Sequence, residues 1–415
     1  MATERRDLRS GESVWEEPVF PAHSLSGDCK VDVLVVGGGV TGSMIAETLS
    51  RSFTVAVVDR RGAAKGSTMA STGLLLYEID SPLVSLRKKI GRERADRAWM
   101  RSNDAMRGLV EKIRRLEIDC DLVTRTSVYL PGDTLDADGL KMEADARAQC
   151  GLPSRWIDAA ELKDRFGIAS EAAIVSGNSA EADPVRFAVG FLRCAASRGA
   201  RCYSGVDVTS IDSDRDGVVA TTSSGPQITA RYVVFATGYE VPKYIRLQGH
   251  DIASTWAIAT MQQQSRPWPG NALIWEASAS YCYARTTGDG RVLVGGGDED
   301  FDDEEKRKKL TPAKARKLQA WLQQLFPHLD TSLEFAWSGA FGRSSTGLPS
   351  IGAVPGLPNC FAVLGFGGNG MTYAMIGAQL IERLIIGETD PDQDLFAFPA
   401  ENTVSGLHPV PKTPS

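Results

Sequence analysis

The feature that most constrains this chain is a G-x-G-x-x-G motif at Gly37, Gly39 and Gly42. It follows an apolar run over 31–36, which predicts a parallel strand buried on both faces. A predicted helix over 40–50 comes next, and then a second apolar strand over 54–58 that ends at Asp59. Together these segments predict a βαβ unit of about 30 residues.

In such a unit the first glycine permits a tight turn, the second lets backbone N–H groups approach a pyrophosphate, and the third lets the helix pack on the strand. The helix N-terminus attracts phosphate, and Asp59 can accept hydrogen bonds from ribose hydroxyls. The motif therefore predicts a dinucleotide site, for which FAD and NAD are equally compatible. The alternative is a glycine-rich turn used only for packing.

A second glycine-rich turn spans 365–372, after an apolar strand over 360–364 and before a predicted helix that runs to Ile386. Its small residues allow close approach of the backbone. A helix N-terminus there would stabilise the negative charge that a reduced flavin carries near N1 and the C2 carbonyl. A second cofactor contact so late in the chain favours FAD over NAD.

Composition excludes several classes of protein. The 415 residues are 42% hydrophobic, enough for about two domains. The chain has 46 Lys and Arg against 52 Asp and Glu, so nucleic acid is not an expected partner. No run of about 18 apolar residues predicts a membrane span, and we expect a cytoplasmic protein. The seven cysteines are scattered without a C-x-x-C pair, which favours reduced thiols and no metal site.

Hydrophobic periodicity gives a coarse element plan. One or two surface helices are expected over 83–116, a helix that starts at Pro184 after Asp183, and an antiparallel sheet over 252–297. The polar residues 1–29 are expected to be an extended lead-in without packing, and residues 401–415 to be disordered. The remaining predictions are a strand pair at 206–211 and 217–222, a buried strand at 230–236, a solvated acidic run at 298–305, and a helix at 312–326.

The combined pattern resembles the FAD-dependent amino acid and amine oxidoreductases, the D-amino acid oxidase-like family that includes glycine oxidase, sarcosine oxidase and gamma-glutamylputrescine oxidoreductase. Residues 13–15 look most like the last of these. The segments that carry the resemblance are 33–59, the Gly-Ser-Thr-rich run 66–73, the strand end at 231–238, and 337–370.

The resemblance implies an α/β fold with a Rossmann-like FAD-binding domain and an antiparallel-sheet substrate domain, both discontinuous. The implied FAD-binding segments are 30–82, 166–245 and 335–392, and the substrate segments are 83–165 and 246–334, with a lead-in over 1–29 and a tail over 393–415. It also implies that 66–73 lies along the pyrophosphate and flavin, and that the backbone of Val206 pairs with adenine. The predicted cofactor-binding residues are Gly37, Gly39, Val40, Thr41, Gly42, Asp59, Arg60, Ser67, Ala70, Ser71, Thr72, Val206, Ala236, Thr237, Gly238, Gly368, Asn369, Gly370, Met371 and Thr372.

Departures from the family refine these expectations. Ala340 occupies the place of the cysteine that links flavin in some members, so the FAD is expected to be non-covalent. Phe341 and Gly368 occupy the places of arginines that hold a substrate carboxylate. Either a different arginine, Arg285 or Arg343, replaces them, or the substrate is an amine. Leu293 stands where sarcosine oxidase-like members place a lysine that promotes reaction with oxygen, so the acceptor is either oxygen or another electron carrier.

The expected reaction is oxidation of a C–N bond of an amine or amino acid by hydride transfer to flavin N5, which needs few acid or base groups. Histidines 23, 250, 328 and 408 are therefore expected to be structural or exposed. An aromatic cage is expected for the cationic amine. Its candidates are Trp256, Tyr281, Tyr283, Phe341 and Tyr373, and the predicted catalytic residues are Phe341, Tyr283, Arg285 and Arg343. Two alternatives remain: a non-catalytic flavoprotein that serves in assembly or binding, without a closed substrate cavity, and an NAD-dependent dehydrogenase.

Overall fold

Two β-sheets organise residues 6–398, the part of the chain that the computed structural model describes. The strands, β1 to β18 in chain order, are Arg9–Glu12, Cys29–Val36, Val55–Asp59, Leu74–Leu75, Val123–Leu130, Ser154–Asp158, Ala172–Glu181, Arg201–Ser204, Val208–Ser213, Val218–Thr222, Gln227–Phe235, His250–Thr260, Leu273–Glu276, Cys282–Thr286, Val292–Glu299, Leu333–Ser344, Ser350–Ala353 and Cys360–Leu364. The helices, α1 to α9, are Val40–Leu49, Leu83–Ile90, Arg92–Arg115, Ala137–Gln149, Ala159–Phe166, Pro184–Ser197, Glu304–Leu325, Gly370–Ile386 and Gln393–Phe396.

The first sheet has the order β17-β18-β11-β2-β3-β8, with β9 and β10 attached beside β11. Strand β2 pairs in parallel with β3 and β11, and β11 pairs in parallel with β18. Its residues alternate between two cores. Val33 and Val35 pack in the cluster that contains helices α1, α6 and α8, while Leu34 and Val36 face the opposite cluster. The expectation of a βαβ unit with a strand buried on both faces is confirmed.

The second sheet has the order β1-β16-β12-β15-β14-β13-β5-β7-β4, and β6 pairs with β7. Its pairs are antiparallel except β13 with β5, which confirms the predicted antiparallel sheet over 252–297. The α/β fold class is confirmed. Strands β4, β7 and β16 lie in this sheet, although the sequence places 30–82, 166–245 and 335–392 with the FAD-binding domain. The division into domains stays a prediction, and these strands are where it departs from sheet membership.

Two local expectations are wrong. Residues 9–12 are not an unpacked lead-in, because they form β1 and pair with β16. Helix α7 begins at Glu304, so Pro312 lies inside it rather than in its first turn. The true start signal is the side chain of Asp303, which accepts a hydrogen bond from the Lys306 N–H. The predicted disorder over 401–415, like His408, lies outside the described residues.

Other elements agree with the sequence. The helical region 83–116 forms two helices, α2 and α3, and α6 begins at Pro184 with the side chain of Asp183 as its cap. Within residues 6–398, the helices are all too short or too polar to cross a bilayer.

Candidate active site

A cavity that we call the nucleotide cavity lies at the carboxyl ends of β2, β11 and β18. Because these strands are parallel neighbours, the turns that follow them meet at one edge of the sheet. Gly37 and Gly39 line the cavity from one side, and Gly367, Gly368 and Gly370 line it from the other. Two glycine-rich turns far apart in sequence therefore face the same space.

The backbone at the first turn is suited to a close ligand. Gly37 has a φ of +113°, and a Cβ there would lie 2.3 Å from the Ala236 carbonyl oxygen. A Cβ on Gly42 would lie 1.8 Å from the carbonyl oxygen of Gly37, so glycine is required for α1 to pack against this turn. The cap residues of α1 and α8, Gly39 and Asn369, make no side-chain cap hydrogen bond. The Thr68 hydroxyl accepts from Val40 N–H at 3.2 Å, and the N–H groups that follow in the first turns are available to an anionic ligand.

Asp59 organises the rim of this cavity. Its Oδ2 accepts a hydrogen bond from Gly38 N–H, and its Oδ1 accepts from Arg61 and Gly62 N–H, each at 2.8 Å. The Val206 N–H donates to the Asp59 carbonyl at 3.2 Å, so the carbonyl of Val206 is the backbone group left for a ligand. This arrangement fits the ribose and adenine of a dinucleotide.

The predicted cofactor-binding residues divide into three groups. Ala70, Thr72 and Asn369 line a second cavity instead. Gly42 and Thr372 line neither cavity, since Gly42 packs α1 and the Thr372 hydroxyl donates to the Leu76 carbonyl at 2.7 Å. The residues that line the nucleotide cavity are Gly37, Gly39, Val40, Thr41, Asp59, Arg60, Ser67, Ser71, Val206, Ala236, Thr237, Gly238, Gly368, Gly370 and Met371.

The second cavity, which we call the substrate cavity, has a volume of about 450 Å³ and lies against the second sheet. Ser67, Ser71, Tyr239 and Gly368 line both cavities. The two spaces are therefore contiguous, and one long ligand can extend from the first into the second.

Aromatic side chains form much of the wall of the substrate cavity. Tyr281 and Tyr283, with ring centroids 5.9 Å apart, and Phe341 line it as the sequence predicts. Trp256 and Tyr373 do not, because Trp256 packs beneath α7 and the Tyr373 hydroxyl donates to the Gly347 carbonyl at 2.8 Å. Three further aromatic residues that the sequence did not identify also line the cavity, and these are Tyr129, Tyr239 and Trp275.

Carboxylates also line this cavity. Asp80 Oδ2 accepts a hydrogen bond from Gly368 N–H at 2.9 Å, and burial raises the pKa of Asp80. Burial raises the pKa of Asp298 to about 6, and its Oδ1 is buried without a hydrogen-bond partner. The prediction of a solvated acidic run is therefore wrong at Asp298, which lies near the end of β15 and lines the cavity. Neither aspartate was singled out from the sequence.

A deeper carboxylate, Glu78, is 1% exposed. Its Oε1 lies 3.9 Å from Nη1 of Arg147, whose Nε donates to Glu143 at 2.8 Å. Burial raises the pKa of Glu78, while Arg147 lowers it. The charge of Glu78 is therefore faced by a cation behind the cavity wall.

The two predicted substrate arginines have different environments. Arg343 lines the substrate cavity and forms an ion pair with the exposed Asp300. Arg285 lines neither cavity. It is 3% exposed, and its guanidinium donates to the carbonyls of Thr72 at 2.6 Å and Ala182 at 3.2 Å. The structure thus places Arg285 behind the 71–73 turn, where it supports the backbone.

The model of the family described as FAD dependent oxidoreductase (DAO) matches residues 32–384. The chain belongs to this family. The resemblance inferred from the sequence is confirmed, and this DAO-family protein is an FAD-dependent oxidoreductase.

Relatives of this DAO-family protein carry several names. It is 25% identical over 397 residues to the probable oxidoreductase OrdL of Rhizobium meliloti (strain 1021), covering 90% of this chain and 87% of that protein. It is 26% identical over 369 residues to glycine oxidase of Geobacillus kaustophilus (strain HTA426), covering 86% and 93% respectively.

Solved structures share the fold. The crystal structure of Geobacillus kaustophilus glycine oxidase matches with a TM-score of 0.73 at 22% identity, over 88% of this chain and 96% of that one. L-proline dehydrogenase from P. horikoshii matches with a TM-score of 0.71 at 18% identity, over 89% and 97%. The fold is thus shared by proteins named oxidase and dehydrogenase.

Proposed function

We propose that this protein oxidises a carbon–nitrogen bond of an amine or amino acid, with hydride transfer from the carbon next to nitrogen to N5 of FAD. The observation that carries the proposal is a substrate cavity that is contiguous with the nucleotide cavity and lined by aromatic rings and carboxylates. Its volume of about 450 Å³ lies in the usual range for small-molecule sites. Such a cavity argues against a purely structural flavoprotein.

The residues that line the nucleotide cavity would hold the cofactor. The open N-termini of α1 and α8 would face its negatively charged parts, and Asp59 would accept hydrogen bonds from ribose hydroxyls. When bound, FAD supplies the hydride acceptor. None of the seven cysteines, all within the described residues, lines either cavity, which supports non-covalent binding.

The side chains of the substrate cavity would bind and prepare the amine. Tyr283 and Phe341 present apolar and aromatic surface to an ammonium group. The amine must be neutral before it can lose hydride, and Asp80, whose pKa is raised by burial and which lies beside Gly368, is suited to accept its proton. These residues need only bind, orient and deprotonate the amine.

An amine is favoured over an α-amino acid. A carboxylate-binding arginine needs free N–H donors directed into the site. Arg285 uses its donors on backbone carbonyls outside the cavity, and Arg343 is already paired with Asp300. The relatives named oxidase and dehydrogenase support both kinds of electron acceptor, so oxygen and another carrier remain alternatives. The cytoplasmic location is also a proposal, supported by the free cysteines.

The test is anaerobic titration of the FAD-loaded protein with a panel of amines and amino acids. We expect the flavin absorbance at about 450 nm, a general property of oxidised flavins, to disappear when a suitable amine is added. Repeating the experiment with oxygen shows whether oxygen reoxidises the flavin. Bound FAD that no member of a broad panel reduces would contradict the proposal and favour the non-catalytic alternative.

A further inference from the structure

We infer that the substrate carries two ammonium groups, as in a short diamine or a polyamine. This inference rests on the proposed amine oxidation and names the substrate class that this cavity fits. The wall of the substrate cavity carries more acidic than basic side chains. The ionisable acids and bases that line the substrate cavity are Glu78, Asp80, Glu276 and Asp298, and Lys89 and Arg343.

The four carboxylates exceed the two cations by two charges. Arg343 is paired outside the cavity with Asp300, and Lys89 donates to the Ser345 carbonyl at 2.8 Å. Burial also lowers the pKa of Lys89, which weakens it as a counter-ion. The lining cations therefore do not balance the lining carboxylates.

Two of the carboxylates, Glu78 and Glu276, have partners in the protein around the cavity. Glu78 is faced by Arg147 at 3.9 Å. Glu276 accepts hydrogen bonds at both oxygens, from Cys282 N–H at 3.0 Å and from the indole N–H of Trp321 at 2.9 Å. The charge of Glu78 is therefore balanced behind the wall, although both of its buried oxygens lack a hydrogen-bond partner among the described residues, and both oxygens of Glu276 are hydrogen-bonded within the wall.

Asp80 and Asp298 are the carboxylates that remain. Within residues 6–398, neither forms an ion pair. Asp298 is partly exposed and lines the cavity, and its Oδ1 has no hydrogen-bond partner among the described residues. Burial and the negative charge of Asp80 raise the pKa of Asp298, while Thr255, Arg343 and Lys314 lower it, so the two carboxylates repel each other and the nearby cations offset this only in part. Two bound ammonium groups would relieve both the repulsion and the unmet hydrogen bonding.

The two carboxylates stand on different elements, which suits the two ends of one chain molecule. Asp80 and Asp298 both line only the substrate cavity. Asp80 lies beside Gly368, which lines both cavities, since a Cβ at Gly368 would lie 3.1 Å from Asp80 Oδ1, whereas Asp298 lies on β15. The reacting ammonium is therefore assigned to Asp80 and the second ammonium to Asp298. The aromatic wall covers the methylene chain between them.

The first experiment compares three ligands of equal chain length on the anaerobic, FAD-loaded protein. They are 1,4-diaminobutane, 1-aminobutane and 4-aminobutanoate. We expect the diamine to reduce the flavin at a concentration at least about tenfold lower than the other two, the factor that 1.4 kcal/mol of extra binding supplies. Equal or better reduction by the monoamine or the amino acid overturns this inference and leaves the proposed function intact. If none of the three, nor any member of the wider panel, reduces the flavin, both fall.

The second experiment assigns the effect to residues. Asp298→Asn and Asp80→Asn each remove one charge with little change of shape, and in Asp80→Asn the amide oxygen can still accept from Gly368 N–H. We expect each to raise the half-saturating diamine concentration about tenfold or more, with Asp298→Asn leaving that of 1-aminobutane nearly unchanged. Glu305→Gln removes an exposed charge outside the cavity and is the control for net charge. Variants that retain FAD and bind the diamine like the unaltered protein would overturn the inference.

Discussion

Asp80 Oδ2 accepts a hydrogen bond from the backbone N–H of Gly368 at 2.9 Å, across 288 residues of sequence. A Cβ on the preceding Gly367 would lie 2.2 Å from the same oxygen, so a glycine is needed at position 367 for the turn to approach this carboxylate. Gly368 lines both cavities. One turn therefore joins a backbone that would face the cofactor to a carboxylate that would face the substrate.

Replacing Gly42 by alanine should destabilise the protein and abolish FAD retention. The new Cβ would lie 1.8 Å from the Gly37 carbonyl, a backbone atom that cannot move without opening the first turn. We expect a loss of roughly 3 kcal/mol in the free energy of unfolding. Denaturant titration and the ratio of flavin to protein absorbance measure the two effects.

The matched control is Gly108→Ala, also inside a helix, where the new Cβ would meet only the flexible end of Met375 at 3.4 Å. It should keep FAD and change stability by no more than about 1 kcal/mol, in the stabilising direction. Indistinguishable behaviour of the two variants would refute the packing role assigned to Gly42.

Trp15 should contribute to FAD affinity from a segment that the sequence analysis treated as unpacked. Its indole N–H donates to the Ser71 carbonyl at 2.6 Å, and Ser71 lines both cavities. Loss of this bond leaves a turn carbonyl unpaired, at a cost of about 1.4 kcal/mol, so Trp15→Phe should weaken FAD binding about tenfold. Fluorescence titration of apoprotein with FAD measures this, with Glu16→Ala, an exposed neighbour, as control. Unchanged affinity in Trp15→Phe would contradict the prediction.

The sequence predicted the nucleotide cavity well because its evidence is local. The apolar run before Gly37 and the run before Gly365 identify parallel strands, and the ends of parallel neighbours meet at one edge. That geometry brings Gly39 and Gly370 to one cavity without knowledge of side-chain packing.

The substrate cavity was predicted less well because its composition depends on strand register. On β12, Thr255 faces the cavity while the adjacent Trp256 faces α7, where Lys314 Nζ lies 4.5 Å from its ring. The sequence did not show which of these two side chains faces the cavity and which faces α7. Asp298 was missed for a related reason, since an acidic run is ordinarily solvated, and only the pairing of β15 with β12 places its first member inside.

The stability of the FAD-loaded protein without amine should depend on pH through Asp298. Burial raises its pKa in the folded state from 3.8 to about 6, so its protonated form favours folding. That contribution is fully present below about pH 4 and is lost as the pH rises through about 6. The Asp298→Asn variant has no carboxyl group at this position and does not lose this stabilisation. The difference between its Tm and that of the unaltered protein should therefore increase between pH 4 and 6 and then level off.

Thermal unfolding across pH 4.5 to 8 measures the Asp298 effect, with Glu305→Gln expected to follow the unaltered protein throughout. Addition of 1,4-diaminobutane at pH 7.5 should reduce the advantage of the asparagine variant, because the bound cation stabilises the ionised aspartate. A Tm difference that is constant across this pH range would show that Asp298 is not the group that titrates.

In the proposed reaction hydride leaves a carbon next to nitrogen, and deuterium substitution of the substrate identifies that carbon. Flavin reduction should be followed by anaerobic stopped flow with 1,4-diaminobutane deuterated either at the two carbons bonded to nitrogen or at the two inner carbons. We expect slower reduction only with deuterium next to nitrogen. The rates are compared at saturating amine, under conditions where the chemical step limits the rate. Slower reduction only with deuterium at the inner carbons would contradict the proposed reaction. So would equal rates for the two deuterated amines and the undeuterated amine.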